Sequence, residues 1–249
     1  MKRVVIGSML DRSILAIAAA LVFGTLTLSA TTAGATSFDD KPKILLHLKA
    51  LTTKNMCTTY SDLTDCTTAI TRGALATPGT GPFYFAFVEV ANANYRNSDL
   101  GGNNLGIAGV QFGINYDNAA NTGVDVFTWN LCATLEFVST GWPAAGGGNL
   151  ITWDSTNKCQ KGEVSIAGYF YCGAYTADRL ALTARPVDGN AKVADCNSTE
   201  ILLNAGEDLG FANFTASGEE DGCNPCISTC ITPVKPTTWS QIKGSYRGR

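Results

Sequence analysis

Val110-Gln111-Phe112-Gly113-Ile114-Asn115-Tyr116 sets apolar side chains at every second position and Gln, Gly and Asn between them. Successive side chains of a strand point to opposite faces, so this period of two predicts a strand with one face in a core. The same reading extends outward along the chain. In Lys43-Ile44-Leu45-Leu46-His47-Leu48-Lys49, the residues Ile44, Leu46 and Leu48 share one face, and Lys43, His47 and Lys49 share the other. His47 is therefore expected on a solvent-facing side. Phe83 to Val90 is apolar on both faces and predicts a central strand covered on both sides. Asp125 to Trp129, Cys132 to Val138, Leu150 to Trp153, Val164 to Tyr175, Arg179 to Ala184 and Leu209 to Thr215 bring the expected strands to nine. Between them, Asp99 to Asn104, Asp117 to Gly123, Gly141 to Asn149 and Val187 to Ala191 are rich in Gly, Asn, Asp and Pro, the residues of turns. Helical periodicity is almost absent. Many short strands with such turns predict an all-β chain, an antiparallel sandwich or barrel, over residues 36–216.

Composition narrows the function classes. The 249 residues include only 16% charged side chains and a formal net charge of −3, without a charge block, which argues against a nucleic-acid binder. Lys2 and Arg3, the apolar run Ser13 to Leu28 and the small residues Ala33-Gly34-Ala35 read as a signal peptide over residues 1–35, with an uncleaved membrane anchor as the alternative. Without it, 214 residues carry 15 basic and 20 acidic side chains, net −5. No later apolar stretch is long enough to span a bilayer. The expected location is extracellular or at the cell surface.

The nine cysteines, Cys57, Cys66, Cys132, Cys159, Cys172, Cys196, Cys223, Cys226 and Cys230, all follow the expected cleavage point. In an oxidising compartment they form a disulfide framework, and an odd number leaves at least one free or paired between chains. Cys57 and Cys66 enclose a short Thr/Ser/Asp loop and are the expected local pair. Cys159 and Cys172 flank a turn and strand, and Cys196 reaches either Cys172 or the terminal cluster. Cys223-Asn-Pro-Cys226 lacks the following helix of a redox centre and the second Cys or His pair of a zinc site, which favours structural disulfides.

Catalytic signatures are missing. His47 is the single histidine, and no Gly-x-Ser-x-Gly, His-Glu-x-x-His or Gly-x-x-x-x-Gly-Lys-Ser/Thr is present. Glu89, Glu136, Asp154 and Glu163 are the carboxylates considered for paired-carboxylate glycoside hydrolysis. No cofactor is expected. Calcium is weighed against an Asx-rich turn at Asp117, Asn121 and Asp125, whose oxygens are hard ligands but do not follow an EF-hand pattern. For glycan binding, Tyr169, Tyr171 and Tyr175 fall on one alternate face and with the loop residue Trp142 form a stacking platform if that face is open. The other reading is that a core or a loop covers it.

Gly106-Ile-Ala-Gly-Val-Gln-Phe-Gly-Ile-Asn-Tyr-Asp117, preceded by Phe85-Ala-Phe-Val-Glu-Val-Ala91 and followed by the aromatic hairpin Val164 to Tyr175, resembles cohesins and related carbohydrate-binding jelly-rolls over roughly residues 42–215. The resemblance implies an antiparallel β-sandwich of jelly-roll type. Beyond it, residues 217–236 read as a Cys/Gly/Pro-rich linker. Residues 237–249 read as a basic amphipathic tail with Trp239, Ile242 and Tyr246 on one helical face, a docking or retention signal if not a frayed end. The expected function is a non-catalytic secreted or cell-surface module making protein contacts of adhesion or scaffold type. The alternative is a carbohydrate-binding module, so the partner is a protein or a glycan at the cell surface.

Overall fold

The computed structural model describes residues 41–50, 57, 63–92, 105–117 and 119–230. The expected signal peptide and the tail residues Trp239, Ile242 and Tyr246 lie outside them. Twelve strands are described instead of nine, and the only helical element among the described residues is a 3-10 turn at Cys66–Thr68. They are β1 (Lys43–Ala50), β2 (Arg72–Ala74), β3 (Tyr84–Ala91), β4 (Gly109–Asn115), β5 (Val124–Leu131), β6 (Leu135–Val138), β7 (Gly148–Thr152), β8 (Val164–Ala174), β9 (Asp178–Thr183), β10 (Ala191–Ala194), β11 (Glu200–Leu203) and β12 (Phe211–Thr215). The additional strands are β2, β10 and β11, segments of three or four residues too short for apolar alternation to mark.

Two sheets face each other. One runs β1-β3-β8-β5 and is antiparallel throughout. The other is built around β4, which pairs with β7 on one side and with β9 and β10 on the other; β6 extends β7, β11 extends β10, and β12 then β2 extend β9. The β12–β2 pair is parallel. The alternation in Val110 to Tyr116 is realised as expected: Val110, Phe112 and Ile114 join Ile44, Leu46, Leu48, Val88, Phe170 and Phe214 in the core between the sheets. β3 is the central, doubly covered strand expected from its unbroken apolar run.

The β1-β3-β8-β5 sheet is covered on both sides. Its outward residues Leu45 and Ala91 pack on Cys66 and Cys226, while Phe85, Phe87 and Tyr169 pack on Leu63. His47, expected to face solvent, is buried, and its Nδ1 lies 2.9 Å from Glu89 Oε1. Alternation had placed it on the correct side of the strand; Leu63 and Cys66 pack over neighbouring residues of that face.

Four disulfides hold this arrangement: Cys57–Cys132, Cys66–Cys226, Cys159–Cys196 and Cys223–Cys230. The expected Cys57–Cys66 pair is not formed. Each of these cysteines instead reaches a distant partner: Cys57 packs with Leu63 against Phe85 and Phe87, and Cys66 packs on Leu45 and Ala91. Cys172 is the free thiol, buried in the core, so the odd cysteine is not in the terminal cluster. That cluster is no linker either. Cys223 bridges to Phe211, and Cys223, Cys226 and Cys230 are all buried.

β9 and β10 behave as one strand with an interruption. Thr183, Leu182 and Ala181 pair with Gly113, Ile114 and Asn115, and beyond them Lys192, Val193 and Ala194 pair with Gln111, Val110 and Gly109. Residues 184–190 leave that line as a flap closed by Arg185 and Asn190. Two glycines make room for it. A Cβ at Gly113 would stand 2.5 Å from Ala184 O, and one at Gly148 would stand 2.6 Å from Arg185 Cγ.

Candidate interaction surface

Because Val110, Phe112, Ile151 and Val193 point into the core, their neighbours point out. The strand registers align these neighbours in two rows across five strands, β11-β10-β4-β7-β6. One row is Leu202, Lys192, Gln111, Leu150 and Phe137. The other is Glu200, Ala194, Gly109, Thr152 and Leu135. The centre of the second row is almost featureless: a Cβ at Gly109 would make ordinary contact with Ala194 Cβ and Ile151 O, both at 3.5 Å, and with Thr152 Cγ2 at 3.8 Å. The flanks are apolar and open, with Leu202 64%, Phe137 52% and Leu135 50% exposed. Lys192 Nζ donates to both carboxylate oxygens of Glu200 at 2.8 and 2.9 Å, the one ion pair within the rows.

The flap forms a wall at one end of this surface. Arg185 Nη2 donates to Phe137 O at 3.1 Å and Nη1 to Asp188, and Asn190 Oδ1 accepts from Gln111 Nε2 at 2.7 Å. Val187 at its tip is exposed. β6 is also a sheet edge, pairing only with β7. It carries neither Lys nor Pro, and its single charge, Glu136, turns inward to accept from Trp129 Nε1 at 2.8 Å and Asn149 Nδ2 at 2.6 Å. An edge strand without outward charge is unusual, since such charges normally keep edges from pairing. The surface was not singled out from the sequence. Its signal, Leu135-Glu136-Phe137-Val138 beside Leu150, read only as strand periodicity.

The residues expected to carry function lie elsewhere. Tyr169 is buried beneath Leu63, with its ring 5.0 Å from Phe85 and 5.4 Å from Phe87. Tyr171 packs on Phe127 and Phe83, and Tyr175 follows β8 at its end. A row of three open tyrosines is therefore not present. Trp142 packs against Phe112, Trp129 and Phe170, away from those tyrosines. Asp117, Asn121 and Asp125 share one turn, but backbone amides occupy its carboxylates: Asp117 Oδ1 accepts from Ala119 N at 3.1 Å and Asp125 Oδ2 from Asn121 N at 3.3 Å. Asp178, which the sequence reading did not include, accepts from Asp117 N and Val124 N and ties the turn to β9. No group of three or more His, Cys, Asp or Glu side chains suited to a metal ion occurs among the described residues.

The carboxylates considered for glycoside hydrolysis are distributed over separate elements. Glu89 is buried beside His47, and Glu136 is bound to Trp129 and Asn149. Asp154 caps a turn, where donors from Asn157 and Thr156 hold its carboxyl below the usual carboxylate range, and Glu163 precedes β8. No helix among the described residues is long and apolar enough to cross a membrane.

No protein-family profile and no curated protein matches the chain. Among solved structures it is similar to the cohesin module of a family 33 glycoside hydrolase from Clostridium perfringens ATCC13124, at 10% identity and a TM-score of 0.40, covering 70% of this chain and 97% of that one. It is also similar to a type II cohesin domain from the cellulosome of Acetivibrio cellulolyticus, at 8% identity and a TM-score of 0.41, covering 72% and 97%. The likeness stops at the fold.

Proposed function

We propose that this protein is an exported, non-catalytic β-sandwich module that binds a protein partner on the outer face of β11-β10-β4-β7-β6. The observation that carries the reading is the pair of transverse rows, with Leu135, Phe137, Leu150 and Leu202 flanking a centre of Ala194, Gly109 and Thr152. A flat face rimmed by half-exposed apolar side chains suits another protein surface, which can bury them together and exclude water. The four disulfides support an oxidising compartment and hence export.

The test uses the purified full chain as bait against the exported proteins of its own source, with Leu135→Glu/Phe137→Glu and Ile227→Glu variants alongside. Ile227 is exposed outside the two rows and serves as the surface control. A partner retained by the wild type and by Ile227→Glu, and lost from the double variant, is the expected result. Equal retention by all three would refute the assignment of the face.

A further inference from the structure

We propose that Lys43 and Asp208 condense to an intramolecular amide bond that joins β1 to the turn preceding β12. The two residues are 165 positions apart, yet Lys43 Nζ and Asp208 Oδ1 are in contact at 2.5 Å with side chains only 2% and 1% exposed. Their backbones are fixed in this position. Ile44 N donates to Asp208 O and Gly210 N to Ile44 O, both near 2.9 Å, on either side of the contact. The neighbouring surface is apolar, with Ala91 opposite Lys43 and Leu45 packed against the Cys66–Cys226 bridge.

Burying an ammonium and a carboxylate together rarely repays the loss of their hydration, and lysine is among the side chains least often fully buried. A neutral amide at the same place removes both charges. The geometry supplies what the condensation needs. An amine held on a carboxyl oxygen has the carboxyl carbon as its nearest electrophile, and confinement replaces the encounter step. Asp208 Oδ2 accepts from Asn204 N at 2.7 Å, a donor on the oxygen that gathers negative charge as the amine adds. Glu89, buried on the same covered face and diagonal to Lys43 in the β1–β3 register, is placed to carry a proton.

The step balances without an outside reagent. Nζ gives one proton to Oδ1, and the neutral amine then adds to Cγ, forming the C–N bond with the charge on Oδ2. Nζ loses a second proton through Glu89 to Oδ1, the Cγ–Oδ1 bond breaks, and Oδ1 leaves as water. One proton remains on the amide nitrogen, and Oδ2 becomes the amide oxygen facing Asn204 N.

Intact mass measured after full reduction and alkylation tests this, since disulfides then contribute nothing. The exported wild type is expected to be lighter than its reduced sequence mass by one water, and digestion should yield one branched peptide containing Lys43 and Asp208. Lys43→Arg and Asp208→Ala are expected at full mass. Asp208→Asn can still react but loses ammonia, so its deficit should change from water to ammonia. Glu89→Gln should accumulate the unlinked mass and convert it slowly. Full mass for the wild type, with separate linear peptides carrying Lys43 and Asp208, would overturn the proposal and leave an ordinary buried ion pair; this outcome does not require any variant to fold.

Discussion

Removing the Cys66–Cys226 bridge should cost more stability than removing Cys223–Cys230, although both pairs are buried near the same surface. A disulfide acts chiefly by restricting the unfolded chain, in proportion to the logarithm of the loop it closes. Cys66 and Cys226 are 160 residues apart, but the other bridges already shorten the path between them. With Cys57–Cys132 and Cys159–Cys196 intact, the shortest route follows 57–66, 132–159 and 196–226, about 66 residues, for which the loop-entropy relation gives about 4 kcal/mol. The Cys223–Cys230 loop spans 7 residues and gives about 2 kcal/mol. The paired Cys→Ala variants each remove two buried sulfurs, so packing losses largely cancel in the comparison. Urea unfolding under non-reducing conditions, followed by tryptophan fluorescence, should show a difference of about 2 kcal/mol between them. The Cys66→Ala/Cys226→Ala variant should also show the larger m-value, because its unfolded chain expands further. An equal or larger loss for Cys223→Ala/Cys230→Ala would refute the loop argument.

Two other outcomes follow from the core. Burial pushes the Cys172 thiol up to about 12, so the unfolded chain releases this proton first and stability falls as pH rises; between about 9 and about 12 the slope from this group is about 1.4 kcal/mol per unit, and Cys172→Ala should remove it in alkaline melts compared with wild type. The native thiol should also resist alkylation until the protein unfolds. At Gly168 a Cβ would stand 2.4 Å from Trp129 Cη2 and 2.5 Å from Asn130 O, so Gly168→Ala should destabilise by about 1–3 kcal/mol and shift tryptophan emission; an unshifted spectrum at wild-type stability would show that β5 yields freely.

The central strands were legible because their pattern is local. Val110 to Tyr116 and Phe83 to Val90 state which side chains face a core, and β4 and β3 follow them. Alternation says which face a residue is on, though not whether that face is wet. His47 was read as solvent-facing, and Tyr169 was left between an open platform and a covered face, because nothing in their own strands records that Leu63 and Cys66 pack over this side of the sheet. The disulfide partners fail for the same reason. Cys57 and Cys66 are near in sequence, but the first pairs with Cys132 just after β5 and the second with Cys226 in the terminal cluster. The apolar face was in plain view as Leu135, Phe137, Leu150 and Leu202; only the register across five strands shows that they line up.

The interruption between β9 and β10 makes the fold tolerant of added sequence at one place. The two segments are indexed on β4 independently, Thr183 against Gly113 and Lys192 against Gln111, so a longer excursion leaves both alignments where they are. Lengthening a surface loop costs little, since closure entropy grows only logarithmically. A peptide grafted between Val187 and Asn190 would be presented beside Phe137 without altering the core. The same position offers natural variants a way to change what the face recognises while keeping the scaffold unchanged.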